Sequence, residues 1–251
     1  MKIDILGVKI NNVTMSETLQ KIEGFLNDGR QHYIVTPNPE MFILARKDEE
    51  FRKILNEADL AVPDGMGLVY ASKFLGMPFK ERVAGVDLVQ KLCKFKNSNF
   101  KLFLLGGRGD TAEKAANNLQ NLYSNINIAG ADCGGYVHKS GGMNMETEKI
   151  VLDKINKTKP DILLVAFGAP KQEKWIYYNL KKMPSVKLAI GVGGAFDFIS
   201  GRIKRAPAII QKLGLEWAWR LAREPERAPR IFNATIKFPI LVLKEKKASQ
   251  I

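Results

Sequence analysis

The chain of 251 residues contains only two cysteines, Cys93 and Cys133, far apart and in no paired motif. That excludes a disulfide framework and points to a reducing compartment. Histidine is equally scarce, with only His32 and His138, so no His/Cys metal cluster is spelled out. Either histidine reads as a surface or strand residue rather than a catalyst. No apolar run approaches the roughly 20 residues that span a bilayer. The first twelve residues, MKIDILGVKINN, carry charges inside a short apolar run and lack a cleavage-site pattern, so they do not read as a signal peptide. The expected location is the cytoplasm, with peripheral attachment to the membrane left open. Acidic residues are also in short supply, 26 Asp and Glu against 39 Lys and Arg, for a net charge of +13. Such a surplus calls for an anionic partner: nucleic acid, an acidic membrane surface or a phosphate-bearing substrate.

The position of that charge says more than its size. Residues 202–251 hold twelve Lys and Arg against four Glu, most of the surplus in the last fifth of the chain. The hydrophobic content of 45% is ample for a core. The expected layout is an α/β body over 1–200 and a basic appendage over 201–251.

The body alternates strand and helix patterns, which predicts a Rossmann-like, mostly parallel sheet flanked by helices. Residues 3–10 read as a hairpin around Gly7, and 14–26 as a helix capped by Thr14 or Ser16. Strands are expected over 33–35, 60–62, 101–107, 126–130, 161–167 and 186–192, with helices over 39–46, 86–95 and 145–158. The strand ends carry the chemistry. After 33–35 stands Thr36-Pro37-Asn38-Pro39, where the prolines force an extended turn. After 60–62 stands Pro63-Asp64-Gly65, with Arg82 and Asp87 on the next connection. Gly106, Gly107, Arg108 and Asp110 follow the third strand, Gln172 the fifth and Asp197 the sixth. Ligands of open α/β sheets bind beyond the carboxyl ends of the strands, so five polar strand ends favour one crevice. Asp64 taken alone reads equally well as a helix cap.

In the appendage, Ile209, Ile210, Leu213, Trp217 and Leu221 follow helical spacing, and a continued helix would put Arg220, Arg223 and Arg227 on one side. A second apolar-basic segment runs over 231–247. This pattern suits an interfacial membrane segment, and equally a helix packed on the body.

The blocks TPNPEM (36–41), VPDGMGLVYASKFLG (62–76), RVAGVDL (82–88), LLGG (104–107), FGAPKQEKWI (167–176), GVGGAFDFISG (191–201) and the KRAP to Arg230 stretch (204–230) closely resemble the WecG/TagA/CpsF glycosyltransferases, glycosyltransferase family 26. The blocks are collinear and nearly span the chain. The resemblance implies inverting transfer of an N-acetylmannosamine-type sugar from a UDP-sugar to a polyprenyl-diphosphate acceptor. In the wall teichoic acid branch this gives a β-1,4 linkage to N-acetylglucosaminyl-diphospho-undecaprenol. It also implies that no cofactor or metal takes part, in keeping with the lack of an Asp-X-Asp motif. Asp64 is then the expected base. Arg82, Arg220, Arg223 and Arg227 would meet the charge on the departing diphosphate. Thr36, Asn38 and Gln172 would orient sugar or phosphate oxygens, with Gly106, Gly107 and Asp197 as nucleotide contacts. The expected partners are the UDP-sugar, the lipid acceptor and an anionic membrane surface reached through the tail. Nucleic acid is disfavoured, because the basic residues are interleaved with Trp, Ile and Leu and no recognised binding motif appears. A uronate donor, a non-catalytic UDP-sugar sensor and a homo-oligomer all stay open on the sequence alone.

Overall fold

The computed structural model describes residues 1–95 and 100–248. The last three residues of the expected appendage, 249–251, lie outside that range. The chain begins with a hairpin of β1 (Lys2–Ile5) and β2 (Val8–Asn11), followed by α1 (Met15–Asn27). Thr14 caps α1: its Oγ1 accepts from Glu17 N at 3.1 Å, while Glu17 Oε2 accepts from Thr14 N at 2.8 Å. This reciprocal pair satisfies two donors that a helix start leaves bare.

The alternation then proceeds through β3 (His32–Val35), α2 (Pro39–Ala45), α3 (Glu49–Glu57), β4 (Leu60–Ala61), α4 (Met66–Phe74) and α5 (Gly85–Leu92). It continues with β5 (Lys101–Gly106), α6 (Thr111–Leu122), β6 (Asn127–Asp132), α7 (Met145–Thr158), β7 (Ile162–Ala166), α8 (Lys171–Asn179), β8 (Leu188–Gly191) and α9 (Ala195–Ile199). Among the described residues, β3 to β8 form one parallel sheet in the order β4-β3-β8-β7-β5-β6. The strands β3, β4, β7 and β8 are buried throughout, because helices cover both faces. One side of the sheet packs Phe42, Phe51, Trp175 and Ile176, and the other packs Leu88, Leu104, Leu119 and Phe196. His32 is buried at the start of β3 between Asp28 and Asp59 and stacked on Phe25, at the opposite end of its strand from Thr36.

The first tail segment, expected as one helix ending at Pro225, is interrupted at Gly214. The tail comprises α10 (Ala208–Lys212), α11 (Glu216–Arg223), α12 (Ala228–Phe232) and α13 (Phe238–Ala248). Gly214, at φ +73°, ends the first piece in a left-handed conformation that only glycine adopts freely. Pro225 ends the second, since it disfavours helix at Glu224 and brings no N–H of its own. A short 3-10 turn over Pro225–Arg227 follows.

The tail lies against the body. Phe238 and Val242 of α13 are buried, and Phe238 meets Phe42 edge-on at 5.3 Å between ring centroids. Leu6 N donates to Glu245 Oε1 at 2.9 Å, which ties the end of α13 to the first hairpin. Replacing Thr14 by Ala should lower unfolding free energy by about 1 kcal/mol in urea titrations, through loss of the α1 cap, and leave the site described next unaltered.

Candidate active site

Five strands of the parallel sheet end on one cavity of about 600 Å³. Its walls include Thr36 and Asn38 after β3, Asp64 after β4, Gly107 and Arg108 after β5, Phe167 and Gly168 after β7, and Gly193 and Gly194 after β8. Thr36 Oγ1 donates to Gly191 O at 2.8 Å, which clamps the ends of β3 and β8 together. Asn38 Oδ1 caps α2 by accepting from Glu40 N at 3.1 Å and Met41 N at 3.3 Å. Its Nδ2 has no hydrogen-bond partner among the described residues and is available to a ligand. Gln172 is buried, and its Oε1 accepts from Gly168 N at 3.1 Å and Gly193 N at 3.0 Å. One amide thus braces the loops after β7 and β8. Its Nε2 donates to Glu173 Oε1 at 2.6 Å, and burial pushes the Glu173 carboxyl up to about 7.

Asp64 stands at the centre. Its N–H donates to Pro37 O at 2.9 Å, which fixes it beside the β3 turn. Its Oδ2 receives the Gly85 N–H at 3.4 Å from the first residue of α5. The helix N-terminus and the Arg82 guanidinium favour the carboxylate, yet burial outweighs both and raises Asp64 from 3.8 to about 6. Gly65, at the N-cap of α4, has no side chain to offer, and Asp64 does not cap that helix; its one side-chain bond to a helix start is the long one to Gly85 N of α5. Arg82 donates to Glu216 Oε2 at 2.5 Å, and Arg205 reaches Asp87 at 2.5 and 2.9 Å and Glu216 at 3.4 Å. Arg82 therefore acts on Asp64 through the field of a paired network.

The tail supplies the far wall. Asp197 accepts from Arg202 at 2.7 Å and Arg220 at 3.1 Å, with Arg227 at 3.7 Å. Glu224 takes Arg220 at 2.7 Å and Arg227 at 2.8 Å, and these pairs hold its carboxyl below the usual range despite the opposing effect of burial. Arg220 lies flat against Gly194, where a Cβ would come within 2.7 Å of the guanidinium. Arg230 is bound to Glu40 at 2.8 Å. Arg108 and Lys171 line the same cavity and have no ion-pair partner among the described residues. Burial, then Arg230 and Arg108, depress the Lys171 ammonium below its ordinary value.

The residues singled out from the sequence are thus distributed unequally. Thr36, Asn38, Asp64, Gly107, Gln172, Asp197, Arg220 and Arg227 line the cavity. Arg82 borders an adjoining one that shares Asp64 with it. Gly106 does not face it: at φ +114° it packs on the backbone of Ala166, 2.7 Å from where its Cβ would stand. Arg223 is exposed, stacks on Trp219 at 4.4 Å and does not line the cavity. Asp197 has its carboxylate committed to arginines. The sequence reading passed over Arg202, Arg230 and Lys171. Their neighbours gave a signal, since Lys171 adjoins Gln172 and the two arginines flank Gly201 and Pro229. Among the described residues, no group of His, Cys, Asp and Glu is arranged to hold a metal ion.

Between about pH 4 and 6 the folded chain keeps a proton on Asp64 that the unfolded chain has released. Stability from this group therefore falls as pH rises through that window. Denaturant titrations at several pH values should show Asp64→Asn gaining stability relative to wild type as pH rises from about 4 to 7, by up to about 3 kcal/mol. A difference constant with pH would show that Asp64 is not held protonated.

The sequence model of the glycosyl transferase WecG/TagA/CpsF family matches residues 3–251. Two relatives from Staphylococcus aureus, strains MRSA252 and MW2, are 35% and 34% identical over 252 aligned residues, covering 99% of this chain and 94% of each relative. Both are named N-acetylglucosaminyldiphosphoundecaprenol N-acetyl-beta-D-mannosaminyltransferase. With a match along almost its entire length and an acid set at the mouth of a cationic cavity, this chain belongs to the glycosyl transferase WecG/TagA/CpsF family.

Proposed function

We propose that this glycosyltransferase moves N-acetylmannosamine from its UDP derivative to the 4-hydroxyl of N-acetylglucosaminyl-diphospho-undecaprenol, with inversion and without a metal. The observation that carries this reading is Asp64, held at about 6 beside a cavity whose far wall is built of arginines. The acceptor hydroxyl must lose its proton as it attacks the anomeric carbon. Asp64 is ionised at neutral pH yet basic enough to take that proton, the compromise that general bases need. As the bond to UDP breaks, negative charge grows on the diphosphate. Arg108 and Lys171 are unpaired and close by, and Arg220 and Arg227 extend the positive wall. Preorganised cations in a partly desolvated cavity stabilise such charge without reorganising at the moment of reaction. Asn38 would hold a sugar or phosphate oxygen through its free Nδ2. Thr36 and Gln172 support it by keeping the strand-end loops in place. Arg82 would keep the base from being protonated outright.

The tail wall implies a second part of the same proposal: residues 201–251 form an appendage that completes the site and rests on an anionic membrane, where a polyprenyl acceptor is embedded. Ile209, Leu213, Phe232, Ile236, Ile240 and Leu243 are exposed along it, interspersed with lysines and arginines. Among the described residues no helix is long and apolar enough to cross a membrane. Attachment would therefore be to the surface.

Radiolabel transfer from UDP-N-acetylmannosamine to a short-chain N-acetylglucosaminyl-diphospho-lipid, run in EDTA, tests the reaction. Wild type should be active, with a rate that declines below about pH 6 as Asp64 protonates. Asp64→Asn should lose on the order of 10²–10⁴-fold in kcat. Equal activity of the two would remove Asp64 from the chemistry, and dependence on added divalent cation would defeat the metal-free reading. Co-sedimentation should show binding to anionic vesicles that weakens with salt and little binding to neutral ones. Indifference to lipid charge would argue against the membrane role of the tail.

A further inference from the structure

A second cavity, of about 680 Å³, adjoins the first, and its walls differ in chemistry. The wall they share includes Asn38, Asp64, Gly194, Trp217, Arg220 and, on the tail, Ala234. Beyond that shared wall the second cavity runs between α4 of the body and α13 of the tail, past Tyr70, Phe74, Phe238, Val242 and Leu243. Its charged lining is Asp64, Arg82, Glu216 and Arg220, and most of the rest is apolar. The outer end is apolar and open: Tyr70, Phe74 and Leu243 are 52%, 42% and 47% exposed. At this rim Lys246 places its ammonium 4.1 Å from the centre of the Phe74 ring and donates to Phe74 O at 2.6 Å.

We infer that this second cavity is the acceptor channel, in which α4 and α13 grip the first isoprene units of the polyprenyl diphosphate while its sugar meets Asp64. The inference rests on the transferase reading above and adds to it where the lipid lies. Three observations support the assignment. Direct displacement at the anomeric carbon needs the nucleophile and the leaving diphosphate on opposite sides. The arginines, Arg108 and Lys171 allot the first cavity to the diphosphate, which leaves the second for the nucleophile. Asp64 is common to both, so a base there reaches a hydroxyl entering from the apolar side.

The chemistry of the walls points the same way. A free sugar or a soluble oligosaccharide would gain nothing from a channel of Tyr, Phe, Val and Leu. A molecule with a polar head and an apolar tail matches its gradient, since each methylene buried there leaves water for an apolar wall. Lys246 places positive charge at the rim, where an anionic lipid would pass. The size sets a limit as well. A cavity in the range of a drug-sized ligand accommodates the head and a few isoprene units, not a whole long-chain prenol, whose remainder would stay in the bilayer. Because one wall belongs to the body and the other to the tail, the channel exists only while α13 is seated.

Acceptors of graded length test this without membranes: N-acetylglucosaminyl diphosphate esterified to methyl, or to one, two, three or four isoprene units, each used below its micelle concentration. In wild type, kcat/KM should rise over the first units and then level off once the channel is full. Phe74→Gln and Leu243→Gln, both at the exposed rim, should flatten that rise at least tenfold relative to the methyl ester and still bind UDP in calorimetry. No transfer to any acceptor by wild type would defeat the transferase reading itself. Transfer that ignores chain length, or variants that keep the wild-type preference, would overturn the channel alone. Independently of any variant, a diazirine on the second isoprene unit should crosslink to peptides of α4 and α13. Labelling confined to other segments would also overturn it.

Discussion

The arrangement depends most on one cluster of charges, Asp197 and Glu224 set among Arg202, Arg220 and Arg227. Asp197 belongs to the body, in α9, and Glu224 to the tail, just after α11. Both carboxylates are nearly inaccessible. Buried ions are stable only when paired, and removing one partner strands the other at a cost of about 3–5 kcal/mol. The tail arginines are thus held in place by protein carboxylates. Seated there, they form the wall of the first cavity and leave α13 lying over α4 as a wall of the second. Without this anchor, the crevice would be open on its tail side.

A second constraint works against stability. Asp64 is held where burial disfavours its charge, and the Gly85 N–H and the field of Arg82 offset only part of that penalty. An acid so placed costs stability, the trade that active sites often make between stability and function. The neighbouring residues are arranged to make it tolerable. Thr36 and Gln172 spend their polar atoms on the ends of β3, β7 and β8, which holds the loops around Asp64 in place. Glu173 extends the same logic: its buried carboxyl, pushed to about 7, fixes the orientation of the Gln172 amide.

Much of the body could be read from its residues. Short apolar runs ending in Pro, Gly and a polar side chain announce buried parallel strands, and the structure has a strand at each of the expected places. Thr14 with Glu17 announces a capped helix for the same local reason. The helix α3 went unread, although Asp48 caps it and Phe51, Ile54 and Leu55 are its buried face. The tail was legible in composition and not in shape. Its apolar spacing suits one helix up to Pro225, while Gly214 splits it; Arg220 and Arg227 converge on one cluster and Arg223 stacks on Trp219. The glycines show the same limit. Gly106 and Gly107 look alike in sequence, but only Gly107 borders the cavity, because the backbone of β7 occupies the space beside Gly106.

Sequence by itself therefore determined the α/β alternation, the family, the strand-end residues and the basic character of the tail. These follow from local backbone preferences and from the run of residue types along the chain. Tertiary structure alone decided which arginines reach the crevice, that burial raises the Asp64 carboxyl, and that two cavities of unlike chemistry meet at it. Each of these is a matter of distance between segments remote in sequence, α9 with α11 or α4 with α13. Burial and Coulomb energies depend on that distance in space and not on separation along the chain.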